Sequence, residues 1–579
     1  MIPGDPLANV LHIDLGKKSF ELKRREELFE RYLGGAGVGI RLLDEECPAG
    51  AEPLGPENPM IFAVGPLTGL FPLASKTVAM FKSPLTGNLG ESHAGGRSAV
   101  TIRNAGYGAI VIKGTSPEPC YLAVHGRKVL FRDASSLWGM RSSYTVGRII
   151  LENEPGAGIR TLMRIGRAGE RLIPYACVTT ETYRHFGRLG LGAVFGSKKL
   201  KGIVISGQAP LSAGKEYRAV YDELYNAAVN SPVMKKYHDL GTAENVVPLN
   251  AIGGLPTRNL SSGRFEGVEK VSGEKLAETH LGRRLACSHC PVGCVHIAAL
   301  KEPYENEPYF RKTTMISYDY ELIYSLGTML GISDADALLK LMDTTELYGI
   351  DAMSTGVTLA WATEALEKGL VTSEHTLVPL AWGNATSYGA AIKNIVDQPN
   401  DFYKALARGV EHASSKYGGK DYAIAFGGLE MPGYHTGPGA ALSFLMGSRH
   451  SHLDSGGYSI DQKSPGKTPE ELAAALVEDE RWRQVLSSLT ICFFARNLYT
   501  PDIIVRALAS AGFTTTVDEL KALGKDILRS KYRFKLREGF DPDKLRIPAR
   551  ALETPAPGGK LDEKFMRRAI SRYHALLME

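Results

Sequence analysis

Long apolar runs are the first thing this chain lacks. No uninterrupted hydrophobic segment in its 579 residues approaches the roughly 18 needed to span a bilayer, so no membrane span is expected. The opening "MIPGDPLANVLHIDL" has no basic segment followed by an apolar core, so no export signal is expected either. A surplus of charge is also missing. The formal net charge is only +5, and basic clusters such as "LKRREELFER" alternate with acids along a helix surface, which argues against nucleic acid or an anionic membrane as the main partner. Cysteine is scarce: seven residues, an odd number with three clustered, do not form the disulfide framework of a secreted protein. They suit a metal site in a reducing compartment, and the expectation is a soluble, cytoplasmic protein.

What is present is ordinary globular material, with 44% apolar and 23% charged residues and length for several cores. The first 205 or so residues carry short β-type runs bounded by turn residues: "NVLHIDL", "PMIFAVG", "TVAMFK", "GAIVIKG", "CYLAVHG" and "GIVISG". One amphipathic helix is expected at about 24–33, stopping at Gly34-Gly35. Beyond about residue 210 helical periodicity takes over. Ser333 with Asp336 reads as a capping-box start and Gly349 as the end of that helix. "TPEELAAALVEDERWRQVL" and "TPDIIVRALASAG" each open with a Thr cap and a first-turn Pro. The glycine-rich "FGGLEMPGYHTGPGAAL" marks a boundary near 420. The fold class is therefore α+β multidomain, with a β-rich domain at 1–208, a mainly helical domain at 209–420 and a mainly helical C-terminal domain at 421–579. No internal repeat is found.

"CSHCPVGC", residues 287–294, places three thiols on one tight turn, and thiolates select zinc or iron–sulfur clusters. A Cys3His zinc site would take His289 or His296 as fourth ligand. A [4Fe–4S] cluster would take a distant cysteine, and Cys47, Cys120, Cys177 and Cys492 are available. Three glycine-rich loops hold other possibilities. "GRLGLGAVFGSKKLKG" (187–202) is one residue short of a nucleotide-binding P-loop, and "GGAGVG" (34–39) lacks the third glycine of a dinucleotide loop. With Arg188, Lys198, Lys199 and Lys201 flanking it, the first of these can still form an anion-binding nest, and "FKSPLTGNLGESHAGGRSA" (81–99) has the same chemistry.

Taken together, "YLGGAGVGIRLLDEE" with "PLGPENPMIFAVGPLTG", "KSPLTG" with "HAGG", "GRLGLGAVFGSKKLK", C-x2-C-x3-C, "LGTMLGI" with "YGIDAMSTG", and the late "LREGF" resemble, nearly end to end and in order, the tungsten-containing aldehyde ferredoxin oxidoreductase family. The resemblance implies a tungsten or molybdenum ion held by two molybdopterin-type cofactors beside a [4Fe–4S] cluster, in a β-rich cradle covered by two helical domains. It implies the cluster ligands Cys287, Cys290, Cys294 and Cys492. The family's two pterin-contact motifs, of D-x-x-G-L-[DC] type, fall on 346–351, with Glu346, Gly349 and Asp351, and on 487–492, with Ser487 and Ile491. The cofactor phosphates would meet Lys76, the turn His93, Ala94, Gly95 and Gly96, and Arg188, Leu189 and Gly190.

The chain departs from the family pattern in places. Glu346 replaces the usual Asp, Leu189 a usual Gly, and Lys76 a common Arg, giving up bidentate phosphate geometry. The second motif has neither its Asp nor its Gly. Some members carry Mg2+ between the pterin phosphates near an Asn; His93 stands there, and magnesium prefers oxygen ligands.

The implied activity is oxidation of aldehydes to carboxylic acids, with electrons passed to ferredoxin or an iron–sulfur subunit docking near 287–294. Glu321 occupies the family's glutamate position, with Tyr320 beside it; desolvation is expected to raise its pKa. As a first-turn helix residue it has a plain structural reading as well. For the family's histidine, His452 is preferred, then His450, with His435 third. Two other functions remain open: a related low-potential reductase, for example of an aromatic thioester ring, and a non-catalytic iron–sulfur or zinc scaffold. The resemblance allows a homodimer, but no E-x-x-H motif stands where Lys340 sits, so a bridging iron is not expected.

Overall fold

The apolar runs near the N-terminus become the inner strands of two six-stranded sheets. The computed structural model describes residues 1–579 except Pro3, Thr182 and Glu305. The first sheet comprises β1 (Asn9–Asp14), β2 (Ser19–Arg24), β3 (Met60–Ala63), β4 (Thr77–Lys82), β5 (Leu89–Ala94) and β6 (Ala109–Lys113). The second comprises β7 (Cys120–His125), β8 (Lys128–Asp133), β9 (Ile159–Ile165), β10 (Val178–Thr180), β11 (Arg184–Phe186) and β12 (Leu200–Gly207). Strands β3 and β4 are buried along their whole length, as is β12, which is why they read as continuous apolar runs.

The two sheets share one topology. Their orders are β2-β1-β6-β3-β4-β5 and β8-β7-β12-β9-β10-β11, and in each the sole parallel pair joins the first strand to the sixth. Helices Gly35–Glu46 and Ser143–Asn153 follow the second strand of each half, and Ser98–Asn104 and Leu191–Ser197 follow the fifth. The expectation of no internal repeat is thus corrected: the repeat lies in hydrogen-bonding order and helix placement, which unequal loops and divergent side chains hide from a sequence comparison.

The helix expected at 24–33 forms at Glu26–Tyr32 and ends at Leu33, with φ +64°. "GGAGVG" is not a loop but the start of Gly35–Glu46. A Cβ on Gly34 would lie 2.4 Å from Val64 O, and one on Gly35 2.1 Å from Ser487 O, so these glycines serve close backbone approach.

Beyond the sheets the chain is mainly helical. Thr468 and Thr500 cap Pro469–Ser488 and Pro501–Ser510 as expected. Asp334, rather than Ser333, caps Ala335–Tyr348, and Gly349 ends it at φ +67°. Besides the two-residue pairing of Ala425–Phe426 with Leu429–Glu430, a three-stranded sheet interrupts the helices: β13 (Leu281–Leu285), β14 (Val295–Tyr304) and β15 (Glu307–Tyr318). Its first two strands enclose the cysteine loop, and the third runs into Asp319–Glu321. Position 420 falls on the short turn Lys420–Tyr422, within one core that both helical segments share. Residues around 485–534 pack instead with the core of the two sheets. Among the described residues no single helix is long and apolar enough to cross a membrane; the bent pair Tyr320–Leu330 and Ala335–Tyr348 has the composition but lies in the core.

Candidate functional site

Each half of the β-rich unit receives one helix end. In the second half, Asp351 N donates to Tyr175 O and Cys177 N to Gly349 O, both at 3.0 Å, around an Ala176–Ile350 bridge. In the first half, Cys492 N donates to Leu73 O at 2.8 Å and Lys76 N to Thr490 O at 3.1 Å, around an Ala74–Ile491 bridge. The cysteine loop joins the same knot, with Leu73 N donating to His289 O at 3.0 Å and Ser288 N to Gly96 O at 2.9 Å. Backbone pairing therefore brings Cys492 to residues 287–294.

The four thiols sense one another. Burial, then the neighbouring Cys492 and Cys287, push the Cys290 thiol up to about 11; burial and the other three cysteines push Cys294 up to about 12. Burial acts on Cys287 as well, but Arg184 and Lys76 draw that thiol below its ordinary value. A Cβ on Gly95 would lie 2.7 Å from Cys287 Sγ, 3.3 Å from Lys76 Nζ and 3.4 Å from Arg184 Nε, so a glycine is required where these groups meet. Cys47, Cys120 and Cys177 are buried cysteines in the β-rich unit, and none joins the loop.

Among the described residues no three His, Cys, Asp or Glu side chains converge on a single ion. His296 faces backbone carbonyls of Cys294, His238 and Asp239 at 3.0–3.1 Å, and His289 is exposed at a φ of +56°. The zinc reading thus loses both fourth ligands. Four thiols that approach without converging, flanked by two cations, fit an anionic cluster in which each cysteine binds a different iron.

Arg184, Asp319, Glu321, Cys287 and Cys294 are enclosed by protein yet keep part of their surface uncovered, which places them on the wall of an interior cavity. A separate cleft of about 670 Å³, lined by Thr86, Asn88, Phe540 and His574, contains none of them. On the cavity wall Glu321 Oε1 accepts from Tyr434 OH at 3.0 Å and lies 3.2 Å from His452 Nε2. Tyr434 packs against Tyr320, His452 and Tyr458 with ring centroids 4.8–4.9 Å apart. Asp319 caps the helix Tyr320–Leu326, which starts with Tyr320 and Glu321.

The expected rise in the Glu321 pKa is corrected. Burial does oppose its charge, but hydrogen bonds from His452 and Tyr434 outweigh that, and the carboxyl stays below the ordinary glutamate value. It is Asp319 that rises, to about 6, through burial and the adjacent Glu321 charge.

Three candidates are not brought to this carboxylate. His450 Nδ1 donates to Phe444 O at 2.9 Å, its Nε2 accepts from Lys535 at 3.1 Å, and burial drives its pKa far down. Tyr320 donates its hydroxyl to Gly433 O and so pins the loop that carries Tyr434. His435 contacts Thr554 O at 2.8 Å.

On the second-half side Arg188 binds Asp351 Oδ2 at 3.1 Å and Glu430 O at 2.8 Å. Ser354 Oγ links Asp351 and Glu430, at 2.7 Å to each. Glu346 Oε2 lies 2.7 Å from His185 Nε2. Leu189 takes a φ of +70°, and its carbonyl accepts from Ser83 Oγ at 2.8 Å; Gly190, at φ +86°, caps Leu191–Ser197. Arg184 Nε, Arg188 Nη1, Glu346 Oε1 and His452 Nδ1 are buried without a partner. Unpaired buried donors and acceptors of this kind suit a polar, anionic group bound between them.

The lysines of the expected nest are spent elsewhere. Lys198 donates to Gly55 O and Pro56 O, Lys199 to Pro117 O, and Lys201 pairs with Glu170. Magnesium does not fit at His93: burial holds that imidazole at about 4, it pairs with Glu91 at 2.7 Å, and Glu91 is already bound to Lys531.

Sequence reasoning missed Arg184, Asp319, Tyr434 and Glu430. Asp319, two residues before Glu321, carried a readable cap signal. Tyr434 sits beside His435, which drew the attention.

The N-terminal domain model of aldehyde ferredoxin oxidoreductase matches residues 10–207, and the model of domains 2 and 3 matches 219–577. A tungsten-containing aldehyde ferredoxin oxidoreductase of Thermococcus kodakarensis is 32% identical, over 95% of this chain and 92% of its own. An aliphatic sulfonate oxidoreductase, WOR-like subunit, of Pyrococcus furiosus is 27% identical over 96% and 91%. Among solved structures, the active site complex BamBC of benzoyl coenzyme A reductase with 1,5 dienoyl-CoA superposes with a TM-score of 0.81 at 22% identity, covering 99% of this chain and 94% of that one. The last likeness is one of fold.

Proposed function

Because the chain belongs to the aldehyde ferredoxin oxidoreductase family, we propose that it oxidises an aldehyde and water to a carboxylic acid, releasing two protons and two electrons. The observation that carries this reading is the Glu321 carboxylate, bound by Tyr434 and His452 on the cavity wall, with Cys287, Cys294 and Cys492 beside Arg184. When bound, a tungsten or molybdenum bis-pterin centre supplies two-electron chemistry and a [4Fe–4S] cluster passes the electrons on singly. Cys287, Cys290, Cys294 and Cys492 would hold the cluster. Lys76, Arg188, Glu346 and the backbone at Gly349 and Thr490 would hold the pterins.

Glu321 acts as the base. Its lowered pKa keeps it ionised at neutral pH, ready to take a proton from water. Tyr434 and His452 Nε2 both engage Oε1 and so fix the carboxylate. His452, beside Glu321, is the residue that would polarise the substrate carbonyl.

Anaerobically purified protein from a tungsten-competent host should contain W or Mo and about four Fe per chain, and should reduce a viologen dye when given aldehyde. Metals without aldehyde turnover would shift the reading to a reductase of another substrate. Zinc, or iron without W or Mo, would leave a non-catalytic scaffold.

A further inference from the structure

Glu321 stands at the inner end of a row of aromatic rings. Its partner Tyr434 is only 3% exposed, because Tyr320, His452 and Tyr458 cover its ring from centroid distances of 4.8–4.9 Å. Of these rings Tyr458 is the one that stays half-buried. It lies over Tyr434 with the planes 30° apart and meets His452 edge-on at 6.4 Å and 64°. Next comes Tyr237, on the surface helix Pro232–Asp239, its hydroxyl close enough to that of Tyr458 for a charge there to raise its pKa. Tyr237 in turn stacks on Phe494, with centroids 3.9 Å apart and planes within 10°. The row Tyr434, Tyr458, Tyr237 and Phe494 thus leads from the Glu321 carboxylate toward the surface, and its side chains offer ring faces and hydroxyls but no charge.

Tyr458 sits on a rigid support. It is the second residue of the helix Gly457–Lys463, which packs on Pro438–Met446 so closely that a Cβ on Gly457 would lie 2.2 Å from Gly439 O. Asp461 of the same helix accepts from Thr436 Oγ1, Gly439 N and Ala440 N at 2.7–2.9 Å, which ties Tyr458 to the loop carrying Tyr434. The guanidinium of Arg483, beside Gly456, is already held by Asp479 and by Leu453 O, so it is not free to select a negatively charged substituent. A ring fixed in this way has little side-chain freedom left to lose when a flat group stacks on it. Paired aromatic rings also gain more than the area they bury.

We propose that Tyr458 is a specificity-determining residue and that the substrate is a neutral aryl aldehyde, its ring stacked on Tyr458 while its carbonyl meets Glu321 and His452. The proposal rests on the aldehyde-oxidising reading of that carboxylate. The group attached to the carbonyl is what continues past His452, so a benzene ring reaches Tyr458 whereas a two-carbon chain ends short of it. The ring itself takes no part in the oxidation; it raises the affinity for the transition state by holding the carbonyl in register.

The test compares benzaldehyde with propanal in viologen reduction by the anaerobic holoenzyme. Parent kcat/KM should favour benzaldehyde by about ten-fold or more. Tyr458→Leu keeps apolar bulk without a ring face, and should lower the benzaldehyde-to-propanal ratio of kcat/KM about five-fold or more with W and Fe contents unchanged. Tyr458→Phe should keep the parent's ratio, as should Tyr225→Leu on the exposed side of Tyr217–Val229. Benzamide, a neutral analogue that is not oxidised, gives a readout without turnover: in calorimetry it should bind Tyr458→Leu about five-fold more weakly than the parent. A parent that prefers propanal, or a Tyr458→Leu variant that loses both aldehydes alike or keeps the full ratio, overturns the aryl assignment and leaves the aldehyde reading intact. Metal-loaded enzyme that turns over neither aldehyde overturns the proposed function and this inference with it.

Discussion

Ala74 and Ala176 occupy the same place in two copies of one topology, just before the fourth strand of each half. Each pairs with an isoleucine just beyond a helix end, Ile491 and Ile350 respectively. Each fifth strand carries, one residue before its end, a histidine paired with a glutamate: His93 with Glu91, and His185 with Glu346. The side chains then part company. The second half meets Gly349 and an Asp351 engaged with Arg188; the first half meets Thr490 and a thiol. Pairing made by backbone N–H and C=O groups is indifferent to side chains, so a duplicated cradle can keep its frame while one copy holds a charged network and the other the thiol proposed as a cluster ligand.

The sharpest way to break this comparison is Cys492→Ser. Loss of one of four ligands should abolish or destabilise the cluster, read as iron content and visible absorption, while the Leu73 pairing and the fold persist. An unchanged spectrum would return the fourth ligand to Cys47, Cys120 or Cys177, which the structure buries away from the loop.

Next in size is Glu321→Gln. The glutamine keeps a hydrogen-bonding oxygen for Tyr434 but has no base, so turnover should fall roughly 10²–10⁴-fold with metal and iron unchanged. Full activity would remove Glu321 from the chemistry. Since its pKa lies below the ordinary glutamate value, its ionisation persists as pH falls through that value. An activity limb near pH 6 would instead report Asp319, raised to about 6, and Asp319→Asn should remove it.

A smaller effect separates the two halves by stability. Asp351→Ala uncaps Ala352–Glu367, where Asp351 accepts from Met353 N and Ser354 N, and leaves Arg188 short of its counter-charge. Breaking a buried pair in this way costs about 3–5 kcal/mol, seen as a lower urea midpoint. Ser487→Ala, at the start of the other motif, removes no charge and should cost under about 1 kcal/mol. Equal costs would mean that Asp351 does not stabilise its half through charge.

The sequence exposed the buried strands because they are apolar throughout: "PMIFAVG", "TVAMFK" and "GIVISG" became β3, β4 and β12. It concealed β2, whose six residues are all exposed, and the three-residue β10 and β11, which are too short for a period to register. Helix caps at Thr468 and Thr500 were legible because capping is local chemistry. The candidate site was legible where a motif pointed to it, as at Cys287 and Glu321, which the fold brings close to Arg184 and His452 respectively. It was not legible where a residue matters only through distant partners: nothing near Arg184 in the chain announces Cys287, Cys294 or Asp319. Lys198 and Lys201 looked like an anion nest for the same reason, since only the fold shows their partners in Gly55, Pro56 and Glu170.

The smallest predicted effect probes the shared turn itself. Thr490 holds a φ of +60°, where its counterpart Gly349 holds +67°. A left-handed conformation costs an L-residue roughly 1–2 kcal/mol, so Thr490→Gly relieves strain. The glycine also frees the unfolded chain, at about 0.5–1 kcal/mol, and removes the 2.8 Å bond to Thr68 Oγ1, at about 1 kcal/mol. These terms oppose each other, so stability should stay within about 1 kcal/mol of the parent. Gly349→Thr has no such offset: its Cβ would lie 2.8 Å from Gly166 N with the same adverse φ, and a loss above about 2 kcal/mol is expected. If Thr490→Gly loses as much as Gly349→Thr in urea unfolding, the first half's turn is held by the threonine's contacts and not by the backbone geometry the two halves share.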